Sequence, residues 1–380
     1  MKKLLTLLLA ASTVFCFAAC NNNADKPGNA GYTADNTEYF IGATGPLTGD
    51  NSSYGISVQE GATLAIEQLN AAGGLNGVKF KFDMKDDKAA AADAAAGYDM
   101  LYEAGMQISL GSVTSGSCAS FATKAVADNM FFITPSASAA NVIATGPNAF
   151  RVCFGDPDQG ILAAEEFKAR GYEKIGAIYD TSDPYSTGIY EAFKAQMETL
   201  GLAFETQTFD AENKKDFSTQ VEALKDCDVI FLPFYYTEAG LVAKTAVAKG
   251  SDADLFGCDG LDGIADQVDD TVTNTIEYIT PFDVNSTDEN VKSFVDAYKA
   301  KYNKAPDQFA ADGFDAVMAI YEAMKAAGVN DVTIDPASLC EKVTAAITAD
   351  TFTYTGATGT MTWDESGACN KVPTIIELNK

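Results

Sequence analysis

Apolar and polar positions alternate with two periods along most of this chain. Tyr39-Phe40-Ile41-Gly42-Ala43 is a short apolar run that reads as a buried strand ending at Thr44-Gly45-Pro46. Val58, Ala62, Leu64, Ala65 and Leu69 then fall on one helical face, until Ala71-Ala72-Gly73-Gly74 stops the helix. Val78, Phe80 and Phe82 alternate with lysines, as a half-buried edge strand does. The same reading predicts helices over 89–104 and 117–128, and strands over 107–111 and 131–133. Past Asp156 the alternation restarts, with strands predicted at 174–179, 203–209, 228–232 and 254–257 and helices at 158–170, 186–200, 215–225 and 238–249. Beyond Pro281 come helical patterns over 288–302 and 308–327, and 352–363 and 372–378 read as closing strands. Strands separated by helices imply βαβ units and a parallel sheet. Two such runs predict an α/β protein of two doubly wound lobes, and the chain is also too long for one compact core.

The first 36 residues follow neither period. Lys2 and Lys3 precede an apolar run from Leu4 to Phe17 and the small pair Ala18-Ala19, which together describe a secretory signal peptide over 1–19. The run falls short of the roughly 20 residues that cross a bilayer. Cys20, directly after the small pair, resembles the lipobox cysteine of bacterial lipoproteins, with Phe17 departing from the leucine usual there. Cys16 is a poor alternative, because bulky Phe15 precedes it. Residues 20–36 are then a lipidated cysteine and a polar, flexible tether. The expectation is an exported protein held at a membrane by an N-terminal lipid: on the outer face of the cytoplasmic membrane, or in the periplasm where there are two membranes.

Composition removes several classes of function. The formal net charge is −27, which repels nucleic acid and anionic headgroups. No histidine occurs anywhere, which removes Ser-His-Asp and Cys-His catalysis and histidine-rich metal sites. No catalytic residue, metal or cofactor is expected. With Cys16 and Cys20 set aside, Cys118, Cys153, Cys227, Cys258, Cys340 and Cys369 remain, without a CxxC spacing. Their pairing is open: Cys340–Cys369 is the first candidate bridge, and buried free thiols are the alternative.

Parallel α/β sheets bind ligands outside the carboxyl ends of their strands. Ser115 stands there, after strand 107–111 and at a helix start, and reads either as a helix cap or as part of an anion site. Ser136 and Ser138 follow the next strand. Asp259 follows strand 254–257 and reads either as a cap or as a carboxylate facing a ligand.

An ordered set of motifs resembles the type I periplasmic binding proteins, above all their leucine/isoleucine/valine-binding branch. The set runs Gly45-Pro46-Leu47-Thr48-Gly49, Tyr54-Gly55, Gly111-Ser112-Val113-Thr114-Ser115, Thr134-Pro135-Ser136-Ala137-Ser138, Phe150-Arg151, Asp158-Gln159-Gly160, Asp216-Phe217-Ser218 and Thr362-Trp363-Asp364. The resemblance covers 38–380 and implies two Rossmann-like lobes joined by three crossovers near 153–158, 280–285 and 362–367. One lobe would be 37–155 plus 284–363, the other 156–283 plus 364–380. It further implies that Ser115 and Ser138, with backbone groups at Ser136, hold an α-carboxylate. Asp259, one methylene shorter than the family's glutamate, would receive the α-ammonium. Tyr54, Tyr185, Tyr235 and Phe309 would line the cleft, and Val113 and Thr114 would touch the ligand's side chain.

The expected function is therefore substrate capture for an ABC importer: a monomer that closes on an amino acid, aliphatic, branched-chain or otherwise apolar, and delivers it to a membrane permease. The alternative in the same fold is a sensor of an amino acid or amide that reports to a receptor or regulator. An enzyme, such as a carboxylate-dependent glycosidase, fits neither the missing histidine nor a cleft suited to a zwitterion.

Overall fold

A computed structural model describes Asn36–Leu378, so the signal-peptide positions and Cys20 lie outside the described residues. The chain opens with β1 (Tyr39–Gly45), α1 (Ser52–Ala71), β2 (Phe80–Asp86), α2 (Ala91–Glu103), β3 (Ile108–Ser109), α3 (Ser115–Ala127), β4 (Phe132–Thr134), the single turn α4 (Ala140–Ile143) and β5 (Ala149–Arg151). These strands form a parallel sheet in the order β2-β1-β3-β4-β5. The chain continues through α5 (Asp156–Arg170), β6 (Ile175–Asp180), α6 (Pro184–Leu200), β7 (Phe204–Phe209), α7 (Ser218–Leu224), β8 (Val229–Leu232), α8 (Tyr236–Lys249), β9 (Asp254–Gly257) and β10 (Ile276–Thr280). Then come α9 (Glu289–Tyr302), α10 (Gln308–Ala326), α11 (Pro336–Ile347), the hairpin β11 (Tyr354–Gly356) and β12 (Gly359–Met361), and β13 (Thr374–Glu377). The second sheet runs β13-β10-β9-β8-β6-β7, with only β13 antiparallel.

Side-chain direction along the strands sorts the core. Tyr39, Ile41 and Ala43 of β1 join a cluster with Val58, Ala62 and Ala65 of α1 and Ile320 and Ala323 of α10. The intervening Phe40 joins Tyr98 and Leu101 of α2 and Phe121 of α3. In β8, Val229 and Phe231 face α5 and α6, while Ile230 and Leu232 face α7 and α8. Period-2 alternation thus gives each sheet two buried faces, and each large side chain contributes about 1.5–3 kcal/mol on burial. Helices α1 and α10 approach closely because they carry glycine at the crossing: a Cβ on Gly61 would lie 1.9 Å from the Ala310 carbonyl oxygen.

The chain passes between the sheets at Val152–Gly155, at 281–288 and at 362–373. A buried polar knot fastens the last passage to α10. Lys371 Nζ is 2.9 Å from Asp312 Oδ1 and 2.7 Å from Thr358 Oγ1. Asp315, one turn on, accepts from Tyr354 Oη, Ala357 N and both donors of Thr358 at 2.6–3.0 Å.

Several expectations change. Residues 352–363 form a hairpin rather than one strand, because the chain turns back through Gly359 at φ +102°. Helix α11, the single turn α4 and strands β5 and β10 were not predicted. The candidate bridge Cys340–Cys369 is absent: all six described cysteines are free thiols. Cys340 lies on α11 beside Asn129, whereas Cys369 Sγ lies 3.2 Å from the Val152 carbonyl oxygen in another passage.

Candidate functional site: a closed cleft between the sheets

Both sheets reverse their order of winding, at β1/β3 and at β6/β8. Carboxyl ends at such switch points leave a crevice, and these two crevices face each other. From the first sheet, the segment after β3 carries Val113, Thr114 and Ser115 into the N-terminus of α3. Ser115 Oγ accepts from Ala139 N at 3.2 Å, and Ser136 Oγ donates to Val113 O at 2.7 Å, so the loops after β3 and β4 brace one another. The first N–H groups of α3 have no intrahelical acceptor and carry the positive end of its dipole. Tyr54 enters from α1, where Gly55 lets the helix start lie against Pro46; a Cβ there would be 2.0 Å from the Pro46 carbonyl oxygen. Phe309, on the first turn of α10, meets Tyr54 at 4.2 Å between ring centroids.

From the second sheet come Tyr185 on α6, Tyr235 ahead of α8 and Asp259 after β9. The rings of Tyr185 and Tyr235 stack at 5.0 Å and 10°. Tyr185 Oη donates to Asp259 Oδ1 at 2.6 Å and accepts from Gly260 N at 2.8 Å. The Asp259 amide donates to Gln159 Oε1 at 3.0 Å, and its carbonyl accepts from Gln308 Nε2 at 2.6 Å. Burial pushes the Asp259 carboxyl up to about 6, against the hydrogen bond from Tyr185 and the Gln159 amide beside it. Burial also raises the Tyr54, Tyr185 and Tyr235 phenols well above their ordinary value, so all three stay protonated donors.

Nine of the ten residues singled out from the sequence, together with Gly260, line one cavity: Tyr54, Val113, Thr114, Ser115, Ser136, Tyr185, Tyr235, Asp259 and Phe309. The tenth, Ser138, does not line it: it is fully buried, its carbonyl accepting from Arg151 Nη1 at 2.6 Å. The cavity measures only about 10 Å³, room for about one water. The lobes are shut on each other, with Tyr54 Oη donating to the Gly260 carbonyl across the cleft. A larger cavity of about 280 Å³ adjoins it, sharing Thr114 and Tyr235 and walled by Asp183, Lys214 and Glu238.

One polar residue of this region was not predicted. Asp156, the first residue of α5, is 1 % exposed, and neither of its carboxyl oxygens makes a hydrogen bond. Burial raises its pKa well above the ordinary carboxyl value; the Ser138 hydroxyl beside it opposes that rise, and the Asp259 charge adds to it. Thr114 Oγ1, Ser138 Oγ and Gln159 Nε2 are likewise buried without a hydrogen-bond partner. Each such group costs about 1–3 kcal/mol unless something meets it. In sequence, Gly155-Asp156-Pro157 reads only as the acidic first turn of a helix. Among the described residues no group of three or more His, Cys, Asp or Glu side chains could hold a metal ion.

Residues 38–372 match the protein family described as periplasmic binding protein. The leucine-, isoleucine-, valine-, threonine- and alanine-binding protein of Pseudomonas aeruginosa is 30% identical over 364 residues, 93% of each chain. The isoleucine complex of LivJ, the branched-chain amino acid transporter substrate-binding protein of Streptococcus pneumoniae, superposes with a TM-score of 0.81 at 27% identity, covering 90% of this chain and 96% of that one. The leucine-binding protein LivK of Thermotoga maritima gives 0.80 at 25% identity, covering 88% and 94%.

Proposed function

Because this chain belongs to the periplasmic binding protein family, we propose that it captures a branched-chain or similarly apolar α-amino acid outside the cytoplasm and hands it to an ABC permease. The observation that carries this reading is the charge layout of the cleft. A helix start with unpaired N–H groups and serine hydroxyls stands on one lobe, and the carboxyls of Asp259 and Asp156 stand on the other, across an aromatic box. A zwitterion matches that layout: its carboxylate meets α3, Ser115 and Ser138, and its ammonium meets Asp259 with Asp156 as a second acceptor. Tyr54, Val113, Thr114, Tyr235 and Phe309 then surround an apolar side chain, with Ser136 and Tyr185 bracing the two charged ends.

The lobes are taken as 37–155 plus 284–363 and 156–283 plus 364–380. Ligand bound to one lobe recruits the other, because only contacts from both distinguish the closed state from the open one. Turnover of the solute plays no part, and the relatives' names favour import over sensing. The tether and a lipid on Cys20 keep the protein beside its permease, where confinement raises effective concentration.

A thermal-shift screen of residues 21–380 against the amino acids, short peptides and amides tests this. Bound ligand at a hundredfold excess over Kd stabilises by about 2.7 kcal/mol. Leucine, isoleucine or valine is expected to give the largest shift. A shift from peptides or amides alone would favour the sensor reading.

A further inference from the structure

Closure also brings together groups outside the cavity. The turn before α1 presents Asp50 to the lobe built on the second sheet. Tyr236 Oη donates to the Asp50 carbonyl at 2.8 Å, and Thr237 Oγ1 donates to the same oxygen at 3.0 Å. Lys214, between β7 and α7, sets Nζ 3.4 Å from Asp50 Oδ2 and 2.9 Å from Glu238 Oε1. Behind them Tyr236 N donates to Tyr54 Oη at 3.2 Å, and the two rings meet edge-on at 4.9 Å. Asp50, Lys214, Tyr236 and Thr237 do not line the small cavity.

We propose that these four residues form a latch that sets how firmly the lobes stay closed, and therefore scales affinity for every ligand by one common factor. The inference rests on the capture reading above. Apparent affinity is the intrinsic affinity reduced by the fraction of protein in the competent state. Contacts that exist only between closed lobes raise that fraction without choosing among ligands.

The latch has two parts of different physics. The Asp50 carboxylate is 63% exposed, so its pairing with Lys214 is screened by water and salt. Glu238 is only 8% exposed and lies in the same lobe as Lys214, so neutralising it is the stronger call on that ammonium. The Tyr236 and Thr237 hydroxyls meet a neutral carbonyl, and salt does not weaken that contact. The hydroxyls therefore hold the lobes, and Lys214 adds a salt-sensitive increment.

The test uses the mature chain and its Tyr236→Phe, Thr237→Ala, Lys214→Met and Lys214→Arg variants. Tyr236→Phe keeps the ring against Tyr54, and Thr237→Ala removes only the hydroxyl and methyl of a half-buried side chain, so both should fold. Kd values for L-leucine, L-isoleucine and L-valine come from calorimetry. Release rates come from the fluorescence of Trp363, the sole tryptophan, whose Nε1 donates to the Arg151 carbonyl at the crossovers. Tyr236→Phe should weaken all three amino acids by one shared factor of about 3–10, carried by faster release and insensitive to salt. Lys214→Met should weaken them about two- to fivefold at low salt and not at 1 M, where screening reaches about 3 Å. Lys214→Arg should restore the loss. Unequal factors among the three ligands, or unchanged affinities in both Tyr236→Phe and Thr237→Ala, would overturn the latch. If no amino acid binds even the unaltered protein, the capture reading fails, and ligand-free X-ray scattering judges the latch alone. A more expanded Tyr236→Phe/Lys214→Met double variant supports it, and identical profiles sink it.

Discussion

Asp259 carries the sharpest expectation at the scale of single residues. Its carboxyl is buried against Tyr185, with a pKa near 6, and only its ionised form can pair with an ammonium. Affinity for an α-amino acid should fall as pH drops through 6, approaching tenfold per pH unit, measured by calorimetry from pH 5 to 8. Asp259→Asn keeps the oxygen that accepts from Tyr185 but loses the charge. A charge-assisted bond is worth about 1.5–3 kcal/mol, so binding should weaken roughly 10–150-fold. The ligand-free stability should move the other way. A carboxyl whose folded pKa exceeds its unfolded value costs stability as pH rises from about 4 to 6, and that cost persists above 6. Asp259→Asn should therefore melt no lower than the unaltered protein at pH 7.5; a clear drop in Tm would mean that the charge serves the fold. Asp259 could be found in the sequence because it follows a recognisable strand. Asp156 could not, because its burial comes from α6: a Cβ on Gly188 would lie 2.9 Å from Asp156 Oδ2, a contact between separate helices that no local pattern reports.

Among elements, helix α10 joins core, site and crossover. Its first turn delivers Phe309 to the cleft, Gly313 packs near the Val58 carbonyl of α1, and Asp312 and Asp315 hold the hairpin and Lys371. Lys371 and Asp312 are 1% and 3% exposed, so Lys371→Met strands a buried carboxylate. Urea denaturation should show a loss of about 3–5 kcal/mol, and adding Asp312→Asn should recover much of it. Equal losses in the single and double variants would show that packing, not charge, holds this knot. Gly61→Ala should destabilise by about 1–3 kcal/mol through overpacking at the α1–α10 crossing; an unchanged urea midpoint would contradict that close contact. Long amphipathic helices such as α1, α9 and α10 were legible from period and caps. Helix α11 carries its own signals in Asp335, Pro336, Leu339, Val343 and Ile347, but its polar and alanine positions dilute the apolar stripe. Strand β5 is three residues long, too short for a period to register.

The two sheets act as one device at the scale of the whole molecule. Each was legible as a βαβ run, and the resemblance supplied what periodicity could not: the faces that oppose one another and the crossovers between them. Cysteine placement was illegible, because proximity in sequence put Cys340 and Cys369 together while the fold sets them against different partners. The shut cleft, with opposite charges awaiting opposite ends of one small molecule, is the central claim. Calorimetry of unaltered residues 21–380 with L-leucine, 4-methylpentanoate and isoamylamine tests it most directly, since the last two each lack one of leucine's charges. The account predicts that leucine binds and that both analogues bind at least tenfold more weakly. Equal affinity for either analogue, or no binding of leucine, would contradict it.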